Sequence, residues 1–224
     1  MYKRLAAFFL KRCIVKRRMY RPGFSVYIAL GSAPTMQNEV LNLLAYRMNA
    51  VAIGHLALKH EMSWEEVPPM EIYFDEKHVI EGKATGFTNG AIEAAVIHCR
   101  ALLEFMGLRA KDLTRLFERG ALSKSDDVGI ENSPSVGRVT IAKAVSAYPG
   151  PPVEAEAALA YVIHVANKGL AHTTGSFKPH DGGNRLLEIA FRGVPALMIN
   201  NFYTPQGMPS PKYELSSRSR ENPK

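Results

Sequence analysis

The sequence predicts a mainly α fold, a bundle of four to five helices with long connecting loops and one short β-hairpin. Three observations predict it. Apolar residues recur at three- and four-residue intervals over three long segments, proline and glycine clusters separate those segments, and only one short stretch has a plausible strand pattern. With 224 residues, 46% of them apolar, the chain is long enough to bury one substantial core.

The first core helix is expected over residues 36–60, where Leu41, Leu44, Met48 and Val51 follow a helical spacing after an N-cap at Thr35. Pro68-Pro69 interrupts it, and extended stretches at 72–74 and 79–80 read as a connector or small hairpin. Thr88 or Asn89 caps the segment AIEAAVIHCRALLEFMGL, with Gly107 as its stop. This segment is apolar around most of its circumference, which makes it the expected central helix. A short helix is expected from Asp112 to Gly120, followed by a long polar loop, SKSDDVGIENSPSVG.

Pro151-Pro152 opens a third long helix, VEAEAALAYVIHVANKGLAH, with Glu154 and Glu156 against its positive end. The segment NRLLEIAFRGVPALMINNFY supplies another helix, kinked or divided near Gly193 and Pro195. From Thr204 onward, four prolines and four serines in 21 residues predict a disordered tail. The expected organisation is thus a leader over 1–35, a helical domain over 36–203 and a tail over 204–224.

Charge is unevenly distributed. The formal net charge of +7 contains eight basic and no acidic residues before Glu39, leaving 20 basic against 21 acidic residues, a balance of −1, for the rest. The basic character therefore belongs to the leader. Its apolar run at 5–10 is shorter than a secretory core and ends in Lys-Arg, which argues against a cleaved signal peptide. The leader reads either as an arm for a membrane surface or RNA, or as the product of a start codon chosen too early, with Met19 and Met36 as later candidates. No stretch reaches the roughly 18 apolar residues of a membrane span. Two cysteines, Cys13 and Cys99, make no disulfide framework, and a cytoplasmic location is expected.

The chemistry-bearing residues cluster near the end of the third helix. Asn167 falls on a stripe with Glu156, Ala160, Ile163 and Leu170, His164 and Lys168 share another side, and His172 sits at the terminal turn, where the helix dipole favours an imidazolium. The following TTGSFKPHDGGNR lacks the order of a phosphate loop, although backbone amides and Arg185 can receive an anion there. His164, His180 and Arg185 are the binding candidates. On the central helix, His98 is expected to be a hydrogen-bonded core histidine, Cys99 a small buried hydrophobe and Arg100 a partner of Glu104. Histidine and cysteine spacings match no zinc pattern, so no metal or cofactor is expected.

Helices joined by loops, with Asn167 five positions before His172 in NKGLAH, resemble the HEPN domains, helical bundles of prokaryotic toxin, antitoxin and RNA-processing systems. ANK..AH is also similar to segments of bacterial proteins without assigned chemistry. The HEPN resemblance covers about residues 36–203 in architecture. Catalytic members carry an arginine followed after four to six residues by histidine, which implies metal-independent RNA cleavage. Here those arginine positions hold Val165, Ala166 and Asn167. An arginine would grip phosphate bidentately, whereas asparagine is neutral, so Lys168 or Arg100 would have to substitute beside His172.

Three classes of function follow. A noncatalytic HEPN-like interaction module would dimerise or bind a protein or RNA. A metal-independent ribonuclease would use His172 and Asn167 with Lys168 or Arg100. A membrane-peripheral protein would depend on the basic leader.

Overall fold

A computed structural model describes residues 38–121, 127–171 and 181–212, all within the unit Ala33–Lys224. The leader over 1–35 and the end of the tail, 213–224, lie outside the described residues, as do Thr35, His172 and His180. The described chain is mainly α, with five α-helices and two short antiparallel hairpins. No described helix is long and apolar enough to cross a membrane.

Helix α1 (Asn38–Glu61) runs into the hairpin of β1 (Pro69–Phe74) and β2 (Lys77–Lys83). Asp75 and Glu76 make its two-residue turn with φ of 48° and 65°, the left-handed pair that matches the twist of a tight hairpin. Ile72 faces Ile80, and Glu71 faces Glu81. Helix α2 (Thr85–Phe105) then returns against α1. The crossing is closest at Gly54, where an added Cβ would collide with the Ala95 side chain and the Ala91 carbonyl oxygen. Gly107, at φ 93°, ends α2 as expected.

Helix α2 begins before the expected cap, which places Thr88 and Asn89 inside it. Thr88 is buried and donates to Ala84 O at 3.3 Å and to a Glu61 carboxylate oxygen. Its hydroxyl therefore fastens the start of α2 to the end of α1 instead of capping a helix.

The helix expected from Asp112 to Gly120 is replaced by a hairpin, β3 (Leu108–Ala110) and β4 (Leu116–Glu118). Asp112 explains the difference. Its Oδ1 accepts from Thr114 N at 3.0 Å and Arg115 N at 2.9 Å, while Lys111 N donates to Arg115 O at 2.8 Å. An aspartate that bonds the backbone two and three residues on reverses the chain and displaces helical bonding. Buried Leu108 and Leu116 anchor the two strands.

The segment expected to be a plain polar loop contains a 3-10 turn, Ile130–Asn132, with Ile130 fully buried in the core. It leads to a short helix α3 (Ile141–Ser146), capped by Thr140 Oγ1 accepting from Lys143 N at 3.2 Å. Helix α4 (Pro152–His164) follows, and every residue from 158 to 163 is buried. The central helix is therefore α4. The outer side of α2 remains exposed at Phe87 and Ile97.

Of the kink or division expected near Gly193 and Pro195, the division is absent: helix α5 (Gly183–Met198) runs through both and widens only afterwards into a π-helical turn, Ile199–Tyr203. Asn201 Nδ2 covers the Leu197 carbonyl at 2.8 Å. The start of the expected disordered tail is ordered: Thr204–Gln206 forms a 3-10 turn, Met208 N donates to Tyr203 O at 3.0 Å, and the Met208 side chain packs on the core. In that core Phe105 and Phe202 meet edge to face at 5.3 Å.

Candidate functional site

The expected third helix changes geometry where its polar residues begin. Beyond His164 the chain takes a π-helical turn, Val165–Leu170, closed by Ala171 N donating to Ala166 O at 3.1 Å. The widened turn alters the expected stripe. Ala166 occupies the buried position, Asn167 stays half-buried at the edge of the apolar face, and Leu170 is 36% exposed. Widened turns of this kind are common at functional positions, since the extra residue re-aims the side chains around it.

His164 and Lys168 lie together on this turn. Burial lowers the His164 pKa, and the neighbouring Lys168 charge lowers it further, so the imidazole is neutral at pH 7. Helix α2 packs against the same turn, but its Arg100 Nε points to Glu104 Oε1 at 3.4 Å, and Arg109 Nε lies 3.9 Å from the same oxygen. The expected Arg100–Glu104 pair is present. It gives the Arg100 charge a carboxylate partner on its own helix.

Arg185, at the first turn of α5, is also engaged. Its Nη2 and Nε lie 2.7 and 2.8 Å from Glu154 Oε1, and Tyr148 OH donates to Glu154 Oε2 at 2.6 Å. The bonds from Tyr148 first and Arg185 second hold the Glu154 carboxyl below its ordinary pKa, and the Glu154 carboxylate in turn raises that of Arg185. Arg185 thus clasps the starts of α4 and α5. His172 and His180, the other two candidates at this end, lie outside the described residues.

His98 is hydrogen-bonded as expected, but it is half-buried at the edge of the core and not within it. Arg47 Nη1 donates to His98 Nδ1 at 3.3 Å, and the Tyr46 ring meets the imidazole edge to face at 5.4 Å. Burial lowers its pKa first and the Arg47 charge second. Cys99 is fully buried, which pushes its thiol pKa well up and leaves it unreactive.

Two groupings escaped the sequence. His55 Nε2 lies 3.4 Å from Glu188 Oε1, a meeting of α1 and α5 across 133 positions that no local pattern announces. Arg192, one turn along from Glu188, stands beside a cavity bounded by α3, α4 and α5. Its only forewarning was an Arg-Gly pair inside an otherwise amphipathic helix. Among the described residues no three His, Cys, Asp or Glu side chains converge as metal ligands. No protein-family model, curated protein or solved structure matches this chain.

Proposed function

We propose that the chain is a noncatalytic, HEPN-like helical interaction module that pairs with a second copy of itself through the β1–β2 hairpin and the adjoining ends of α1 and α2. The exposure of that hairpin carries the proposal. Tyr73, Phe74, Val79 and Ile80 are between 47% and 65% exposed, and Met62 and Phe87, at the ends of α1 and α2 that flank it, are each 51% exposed. A two-stranded ribbon alone is marginally stable, and its unpaired edges are templates for another strand. Exposed aromatic and branched residues concentrated on one protruding element mark an interaction surface.

Charge counts against RNA as the occupant of this surface. Residues 69–83 hold four acidic side chains, Glu71, Asp75, Glu76 and Glu81, against Lys77 and Lys83. A surface of that sign repels a phosphate backbone. The carboxylate partners of Arg100 and Arg185 also count against a ready-made phosphate grip on the candidate turn.

Sedimentation velocity of the full chain over a range of concentrations tests the proposal. A reversible dimer is expected, lost in Ile80→Asp and retained in His172→Ala. A monomer at every concentration contradicts self-pairing. Metal-independent RNA cleavage that His172→Ala abolishes in a folded protein would replace the module with a ribonuclease.

A further inference from the structure

The cavity between α3, α4 and α5 has a volume of about 340 Å³. Its floor is aliphatic and shielded from water, made by Ala155 and Leu159 of α4 with Ile189 and Leu197 of α5. Its rim holds Tyr148 and Arg192. A closed apolar floor with a few polar groups at the mouth is the usual composition of a small-molecule site, and this volume lies within the range of roughly 300–1,000 Å³ for such sites.

Two observations specify the occupant. The first is Gly193, in the interior of α5, where an added Cβ would meet no atom within 4 Å. No close approach requires a glycine there, and glycine is among the poorest residues inside a helix. Its effect is to leave the cavity open. The second is charge. Arg192 is 58% exposed, and its carboxylate neighbour, Glu188 Oε1, is 3.8 Å away and shared with His55. The guanidinium makes no hydrogen bond among the described residues, so its planar donor fork is available to an incoming carboxylate. The nearby Glu154 carboxylate is covered by Tyr148 and Arg185, so it does not offset that positive rim.

We propose that this cavity binds a free aliphatic carboxylic acid, with the hydrocarbon against Leu159, Ile189 and Leu197 and the carboxylate on Arg192. A hydrocarbon chain of medium length suits a cavity of this size. The site is separate from the hairpin and does not depend on self-pairing.

Calorimetric titration of the full chain with decanoate tests it, with decylamine and decanol as matched probes of the headgroup. Decanoate is expected to bind at a 1:1 ratio, at least ten times more tightly than either probe. Arg192→Ala should weaken decanoate at least fivefold and leave decanol unchanged. Gly193→Leu should fill the cavity and abolish binding of both. Ala196→Trp closes the same space from the exposed rim, and provides a second blocking variant if Gly193→Leu unfolds. No binding of decanoate at millimolar concentration overturns the proposal. So does binding that survives both blocking variants in folded protein, or binding indifferent to Arg192→Ala.

Discussion

Helix α4 and the β1–β2 hairpin both carry large apolar side chains, and these end in opposite environments. Six consecutive residues of α4, from 158 to 163, are buried, because α2, α3, α5 and β3 surround the helix. The hairpin carries Ile72, Tyr73, Phe74, Val79 and Ile80, yet none of these reaches the core. Apolar content alone does not decide burial. The surrounding elements do, and apolar residues that the fold leaves uncovered are those available to a partner.

The largest expected effect comes from the core side of this comparison. Phe202 is fully buried against Phe105 and Tyr203, so Phe202→Ala should cost about 3–5 kcal/mol in urea unfolding. Phe74→Ala on the hairpin should cost about 0.5 kcal/mol or less. Equal losses at the two positions would break the distinction between a load on the fold and a surface for a partner.

A smaller effect is expected where α1 and α2 meet. Gly54→Ala places a methyl group into the Ala91 and Ala95 contact, and should destabilise by about 1–3 kcal/mol, measured by the same unfolding curves. Gly86→Ala, near the start of α2 with nothing within 4 Å, should be neutral or stabilising. A tolerated Gly54→Ala would show that the helix pair is less closely fixed than described.

The smallest effect concerns pH. His55, His98 and His164 all have pKa values lowered from 6.5, each first by burial. Folded, they stay neutral while the unfolded chain takes up protons as pH falls below about 6.5, so the unfolded state binds more protons and stability falls on acidification. Around His98 the relevant groups are Arg47 and Tyr46 of α1, and Arg47 opposes protonation. The thermal midpoint should drop between pH 7.5 and 5.5, and His98→Gln should shrink that drop. A midpoint that rises on acidification would reverse the assigned direction.

The helices were legible because their signals are local. Leu44, Met48 and Val51 lie on the buried face of α1, and Gly107 stops α2 at the expected position. Local spacing misleads where one side chain outweighs the pattern around it. Asp112 turned an expected helix into a hairpin through backbone hydrogen bonds, and Ile130 drew a polar segment into the core. The widening of the chain after His164 had no signal in spacing, since the same residues fit an ordinary helix.

The candidate site was legible in part. The burial of Cys99 and the Arg100–Glu104 pair follow from position on one helix, whereas the Arg47 and Tyr46 contacts of His98 come from α1. The engagement of Arg185 by Glu154 and Tyr148 does not, because it joins the starts of two helices 31 positions apart. The cavity at Arg192 was hidden for the same reason. Its walls come from three helices, and open space between helices has no letter in the sequence.

Hydrogen exchange of the intact chain, followed by mass spectrometry at low and high protein concentration, tests the self-pairing proposal most directly. Amides of α4 should be strongly protected at both concentrations, since they report the core. Amides over residues 69–83 should exchange quickly in dilute protein and gain protection as concentration rises, with that gain lost in Ile80→Asp. Hairpin exchange that is independent of concentration, while a dimer forms elsewhere or not at all, would contradict the account.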